Sequence, residues 1–364
     1  MNSGHTQEIG GMGENGMAGK RRRGWILTAV LLAGWLSLAL EGCAGRQAPQ
    51  KRYLRIGVVM YDVNDTFLSE LIACFREDAK SLQTEERSIN VTVRDGEKSQ
   101  RTEDSCVEEL IDGGCDVLCV NLVDRTAPSR IIDMAMERDI PIIFFNREPV
   151  KEDLAQWDRM YYVGSDPEES GVMQGELAAD YIRSHSGVDR NKDGVIQYVL
   201  LEGEPGHQDA IIRTESAVST LTREGVQLEK LSRQIANWNR AQALTKMSQM
   251  MTQYGSRIEL VLANNDDMAL GAIDALRQAG ITEGSRPAVF GIDGTKEGLQ
   301  AIVDGTMAGT VYHDKEGQAM TMAKLAAALY DGEDLSSFHL KDWTYCYLPY
   351  QKVTPENLEK FLER

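Results

Sequence analysis

The chain has 364 residues, 42% of them hydrophobic, and a formal net charge of −17 at pH 7. That length allows two domains with sizeable cores. The acidic balance argues against nucleic acid as a partner, whose affinity comes from Lys and Arg on phosphates, and suits a soluble protein with a neutral or cationic ligand. The amino terminus reads as a targeting segment. Lys20-Arg21-Arg22-Arg23 is a basic region, and Trp25 to Leu40 is apolar but short for a spanning helix. It ends Leu40-Glu41-Gly42-Cys43, so residues 1–42 are expected to be a lipoprotein signal peptide, Cys43 the lipidated first residue and 43–52 a tether. The alternative is an uncleaved signal anchor. Cys74, Cys106, Cys115, Cys119 and Cys346 are an odd number, which is no disulfide framework, and read as buried free thiols.

Beyond the tether, apolar strands alternate with helical patterns. Strands are predicted over 53–60, 89–93, 116–120, 141–145 and 161–163, with helices after Asp65 and over 99–112, 127–138 and 168–184. The pattern then restarts. Strands are predicted over 196–201, 227–235, 258–263, 288–292 and 308–312, with helices over 208–224 and 239–254, then to Ala279, and over 315–330. A single late strand is predicted over 345–350 and a short helix over 355–362. Such alternation builds parallel sheets, here as two doubly wound α/β halves. Each half ends its third strand in short polar residues, VNLVD in the first and LANND in the second. Ligands of open α/β sheets bind at those carboxyl ends.

The stretch Asp189 to Gln197 places Asp189, Asn191, Asp193, Gly194, Val195 and Gln197 where an EF-hand loop has positions 1, 3, 5, 6, 7 and 9. Position 12 is Leu200 instead of Glu, and a strand follows instead of a helix. The competing reading is an Asx/Gly turn that needs no metal. After that strand, His207, Asp209 and Arg213 open a helix, the last two on one face.

The motifs YDVNDTF, VNLVD, FFNREP, YYVGSDPEESG, DRNKDGVIQ, LEGEPGHQDA, ANNDDMALGA and FGIDG together resemble the periplasmic D-galactose/D-glucose-binding proteins of bacterial sugar uptake and chemotaxis. The resemblance covers about Arg55 to Leu362 and implies two doubly wound parallel-sheet domains joined by a three-strand hinge, the type I periplasmic binding protein fold. It implies one domain of 53–164 plus 314–347 and another of 165–313 plus 348–364. The sugar-binding positions it implies are Asp65, Phe67, Asn121, His207, Asp209, Arg213, Trp238, Asn265 and Asp293. Phe67 and Trp238 would cover the two faces of a pyranose, and the polar groups would pair its hydroxyls. The resemblance also supplies the missing acid of the metal loop, giving a structural Ca2+ bound by Asp189, Asn191, Asp193, the Val195 carbonyl, Gln197 and Glu259. One departure bears on the choice of sugar: His313 stands in GTVYHDKEG where the family has Asn. Beside Asp293, its imidazole is expected to titrate near 6.5 or somewhat higher and to bond the sugar.

The implied function is a monomeric, lipid-anchored receptor that delivers a monosaccharide to an ABC permease, with a chemoreceptor as an optional second partner. Two other classes are weighed against it. A sugar-responsive regulator of the lac-repressor type would need an N-terminal helix-turn-helix and a basic face, which the leader and the net charge oppose. An enzyme using His207, Asp209 and Arg213 lacks a nucleophile motif and a paired carboxylate.

Overall fold

The computed structural model describes residues 51–362. The expected leader and Cys43 lie outside the described residues.

The first lobe is built on five early strands, β1 (Arg52–Met60), β2 (Arg87–Asp95), β3 (Val117–Val120), β4 (Ile142–Phe145) and β5 (Met160–Gly164), joined by one late strand, β11 (Tyr345–Tyr347). They form a wholly parallel sheet in the order β11-β5-β4-β3-β1-β2. Every residue of β3, β4 and β5 is buried, as strands are when helices cover both faces of a sheet. Helices α1 (Thr66–Ser81) and α10 (Lys315–Asp331) supply Leu71, Phe75, Met322 and Leu325 to one core. Helices α2 (Gln100–Asp112) and α3 (Ser129–Glu137) supply Val107, Leu110, Ile131 and Ile132 to the other. A one-turn helix, α4 (Lys151–Leu154), precedes β5.

The second lobe repeats the plan. Strands β6 (Ile196–Glu202), β7 (Leu228–Ile235), β8 (Leu260–Ala263) and β9 (Ala288–Phe290) are parallel in the order β7-β6-β8-β9. The first four strands of each lobe thus share one order, second-first-third-fourth. One face carries α5 (Pro167–Ser184) and α6 (Gln208–Arg223). The other carries α7 (Arg240–Tyr254), α8 (Asp266–Gln278), α9 (Lys296–Val303) and the terminal turn α11 (Glu359–Leu362). Helices α5 and α6 meet closely: a Cβ on Gly171 would lie 2.7 Å from the carbonyl oxygen of Arg213. Any larger residue there would push α6, and Arg213 with it, away from its place.

The chain passes between the lobes three times, after β5, after β10 (Thr310–Tyr312) and after β11. The strand predicted over 345–350 is in fact two. β11 extends the first sheet, and β12 (Gln351–Val353) pairs antiparallel with β10 in the second lobe. Pro349 lies between them and has no N–H to give a ladder. Helix α9 has no counterpart in the sequence reading, although Thr295 caps it by accepting from Gly298 N.

All five described cysteines are free. Burial pushes every one of their thiols up, Cys115 to about 12. Among the described residues no helix is long and apolar enough to cross a membrane.

Candidate functional site

The carboxyl ends of the strands in both lobes face a cavity lined by Tyr61, Asp65, Phe67, Asn146 and Arg147 from the first lobe and by His207, Asp209, Arg213, Trp238, Asn265 and Asp293 from the second. Local structure fixes most of these side chains. Asp65 caps α1, accepting from Leu68 N, and also accepts from the Tyr61 hydroxyl at 2.8 Å. His207 caps α6, its Nδ1 accepting from Asp209 N at 3.2 Å, which leaves the proton of the neutral ring on Nε2. Asn265 caps α8, accepting from Met268 N. Trp238 lies against Gly203, where an added Cβ would fall 2.1 Å from the indole, and its ring stands edge-on to His207 at 5.2 Å.

Three lining residues, Asn146, Trp238 and Asp293, have φ of 60°, 59° and 117°. Backbone in this region is costly for residues with a Cβ and persists where the surroundings hold it, typically at functional sites. Asp293 is held by its neighbours. Its N–H donates to Val311 O, and its carbonyl accepts from His313 N. Behind it, the fully buried Asp266 accepts from Thr295 N (2.8 Å), Thr295 Oγ1 (3.2 Å) and Thr310 Oγ1 (2.6 Å). Burial pushes the Asp266 carboxyl up to about 7. This one side chain ties the loop that carries Asp293 to the end of β8.

The cavity mixes buried charges of both signs. Arg213 is 4% exposed and donates to Asn264 O at 2.8 Å and to the Tyr350 hydroxyl at 3.1 Å, with Asp293 Oδ1 at 3.6 Å. Burial raises the carboxyls of Asp65, Asp209 and Asp293, while Arg147 opposes the shift at Asp65 and Arg213 opposes it at Asp209 and Asp293. Burial, with Arg147 and Arg213 nearby, holds His207 well below its ordinary value. Acceptors, guanidinium donors and an aromatic face from each lobe are therefore gathered in one desolvated space. Such a space pairs a ring of hydroxyls, and an analogue lacking one hydroxyl leaves a buried group unsatisfied.

Two residues expected at the site stand behind its wall. Asn121 is fully buried and faces inward: its Oδ1 accepts from Tyr61 N, and its Nδ2 donates to Phe145 O (3.0 Å) and Asn146 Oδ1 (3.1 Å). The lining amide at this place is Asn146, one strand over, which Asn121 orients. His313 stacks on Phe67 with ring centroids 4.2 Å apart and packs against Tyr350. Its Nδ1 is 3.8 Å from Asp293 Oδ1, and neither ring nitrogen has a hydrogen-bond partner among the described residues. Burial, then Arg213 and Lys315, holds its pKa well below the ordinary value, the reverse of the direction expected from its carboxylate neighbour. His313 therefore stays neutral through the physiological range. His313 should thus contribute nothing to any change of ligand affinity between pH 6 and 8, and His313→Asn should alter the ranking of ligands without altering the pH profile. Calorimetric titration at pH 6, 7 and 8 checks this; a pH dependence that disappears in His313→Asn would overturn it.

Tyr61, Asn146 and Arg147 line the cavity without having been singled out from sequence. Their signal was present, since Asn146 and Arg147 directly follow β4, at the same kind of strand end as the residues that were.

The loop Asp189 to Gln197 turns back on itself at Gly194 (φ 79°). Asp189 accepts from Asp193 N and Gly194 N, and Asp193 accepts from Val195 N. The side chains of Asn191 and Gln197 reach Asp193 Oδ2 at 2.9 and 3.0 Å. Glu259 lies against the loop, its carboxylate accepting from Arg190 N (2.6 Å) and Gln197 N (3.2 Å). Among the described residues no three His, Cys, Asp or Glu side chains converge as a metal cluster. The loop's inward groups are nonetheless oxygen donors or amides that present an oxygen on rotation, the chemistry a hard cation takes.

Residues 56–334 match the periplasmic binding protein domain family. The chain is 35% identical over 340 residues to the D-galactose/methyl-galactoside binding periplasmic protein of Haemophilus influenzae, covering 92% of this chain and 99% of that one. It is 28% identical over 310 residues to the xylitol-binding protein of Mycolicibacterium smegmatis, covering 85% and 82%. Among solved structures it resembles an ABC transporter solute binding protein from Bacillus halodurans with bound myo-inositol, at 28% identity and a TM-score of 0.71 over 87% of this chain and 99% of that one. These relatives are binding proteins of transport, not enzymes.

Proposed function

Because this chain belongs to the periplasmic binding protein family, we propose that it is an exported receptor that closes its lobes over one monosaccharide, D-galactose or D-glucose first, and delivers it to an ABC permease. The observation that carries the reading is the single cavity to which each lobe brings an aromatic ring, Phe67 or Trp238, and charged hydrogen-bonding groups. His313 is its most individual feature: a buried imidazole stacked on Phe67 behind the cavity wall, neither ring nitrogen bonded among the described residues. Titration calorimetry of the mature chain against hexoses, pentoses and polyols is the test. One ligand per chain with a hexose is expected, and no heat with any of them would sink the reading. Sugar-dependent co-purification with permease subunits or a chemoreceptor tests the partners.

Two further proposals concern anchoring and metal. Lipidation at Cys43 would hold the receptor at the membrane, and Cys43→Ser should then release it; retention of the variant would favour an uncleaved anchor. For the loop at Asp189, a structural Ca2+ would be held by Asp189, Asn191, Asp193, the Val195 carbonyl, Gln197 and Glu259. The oxygen-donor chemistry and the nearness of Glu259 support it. An ion bound only by the folded state stabilises by mass action, so chelation should lower the melting temperature of the wild type and leave Asp193→Ala unmoved. Identical melting with and without chelator would reduce the loop to a turn.

A further inference from the structure

Arg147 is held from both lobes. Within its own lobe its Nη1 donates to Val123 O at 3.0 Å, and its guanidinium carbon lies 3.6 Å from the centroid of the Tyr61 ring. From the other lobe Glu204, in the turn after β6, accepts from Nη2 at 2.8 Å. Arg147 is 5% exposed, and Glu204 does not line the cavity. The contact continues inward, since Tyr61 donates its hydroxyl to Asp65, and Tyr61, Arg147 and Asp65 all face the ligand space. A second cross-lobe bond lies one residue further along. The Thr66 hydroxyl at the start of α1 donates to Asp267 Oδ2 at 2.7 Å, and neither residue lines the cavity. The two clasps are linked through Tyr61 and Asp65, the residue that precedes Thr66.

We propose that Glu204 is a closed-state clasp that acts through Arg147: it exists as a partner only when the lobes are closed, with Thr66–Asp267 as a second clasp. The reasoning is thermodynamic. On opening, Arg147 keeps Val123 and Tyr61 but loses Glu204, so the Glu204 contact stabilises only the closed form. A contact made in one state alone biases the equilibrium by its own free energy. Every ligand that needs the closed form then gains by the same factor. Groups on the cavity wall set which ligand is preferred; Glu204 and Thr66 set the scale on which all of them bind.

This inference rests on the closing-receptor reading above, and the test separates the two. Glu204→Gln keeps the shape and removes the charge. Thr66→Val keeps the shape and removes the donor. D-galactose, D-glucose and myo-inositol serve as probes, read by calorimetry and stopped-flow kinetics, with small-angle scattering of the unliganded protein alongside. Each variant should weaken every probe the wild type binds by one common factor, about fivefold for a partly buried charged contact. The change should fall on the off-rate, the ranking should stand, and the unliganded protein should be more open. The double variant should weaken binding more than either single variant, and the departure from a simple product measures the coupling through Tyr61 and Asp65. A changed ranking, affinities within a factor of 1.5 of wild type in both variants, or an unchanged unliganded shape would overturn the proposal. Should no probe bind the wild type, the sugar reading fails, and the scattering comparison still decides whether Glu204 and Thr66 hold the lobes together.

Discussion

Arg213→Ala is expected to abolish measurable ligand binding and to destabilise the fold by about 3–5 kcal/mol, the cost of breaking a buried ionic network by removing one partner. The side chain donates to Asn264 O and the Tyr350 hydroxyl and faces Asp293 at 3.6 Å. Without it the Asn264 carbonyl loses a buried donor, and Asp209 and Asp293 lose their nearest opposing charge while burial continues to raise them. The two acids then take up protons more readily and turn from acceptors into donors, the wrong chemistry for the same hydroxyls. Arg213→Lys restores charge but not the planar fork, and should recover stability more than affinity. Urea denaturation and calorimetry of both variants are the measurements, and an alanine variant that binds within twofold of wild type would refute the assignment.

The second large effect falls on stability. Asp266→Ala removes the shared acceptor of Thr295 N, Thr295 Oγ1 and Thr310 Oγ1, and should cost about 2–5 kcal/mol, because buried donors left unmade lose their full hydration. The pH dependence has a definite sign. The folded carboxyl is pushed up to about 7, above the ~3.9 of an unfolded Asp. Its contribution is full below the unfolded value and is lost as pH rises through the folded one. Between pH 5 and 8 the wild type should therefore lose about 2–3 kcal/mol more than Asp266→Asn, which carries no proton to release. Parallel slopes in urea midpoints for the two proteins would count against it.

The alternation of strands and helices, the restart near Ile196 and the polar residues at strand ends were legible in the chain because they are local and periodic. What was not legible depends on contacts between distant segments. Asn121 ends a strand buried on both faces, so its spacing could not say whether the amide turned to the cavity or to Asn146; the structure turns it to Asn146. Arg147, in a loop beside Glu148, reads as a solvated surface charge until the far lobe covers it. For His313 the sequence showed a neighbouring acid, Asp293, but neither the burial nor the approach of Arg213 and Lys315 that governs the proton.

The edge strand β11 and helix α10 come from the end of the chain, yet they complete the sheet and one core of the first lobe. During synthesis the first lobe lacks both until residues 315–347 have emerged, whereas strands β6 to β9 of the second lobe are contiguous and need nothing made after Phe290 to pair. The cores of the second lobe wait longer still, because Tyr350, Val353 and Phe361 close them. Neither lobe can complete its core until nearly the whole chain is made, a topology that suits an export channel accepting only unfolded polypeptide.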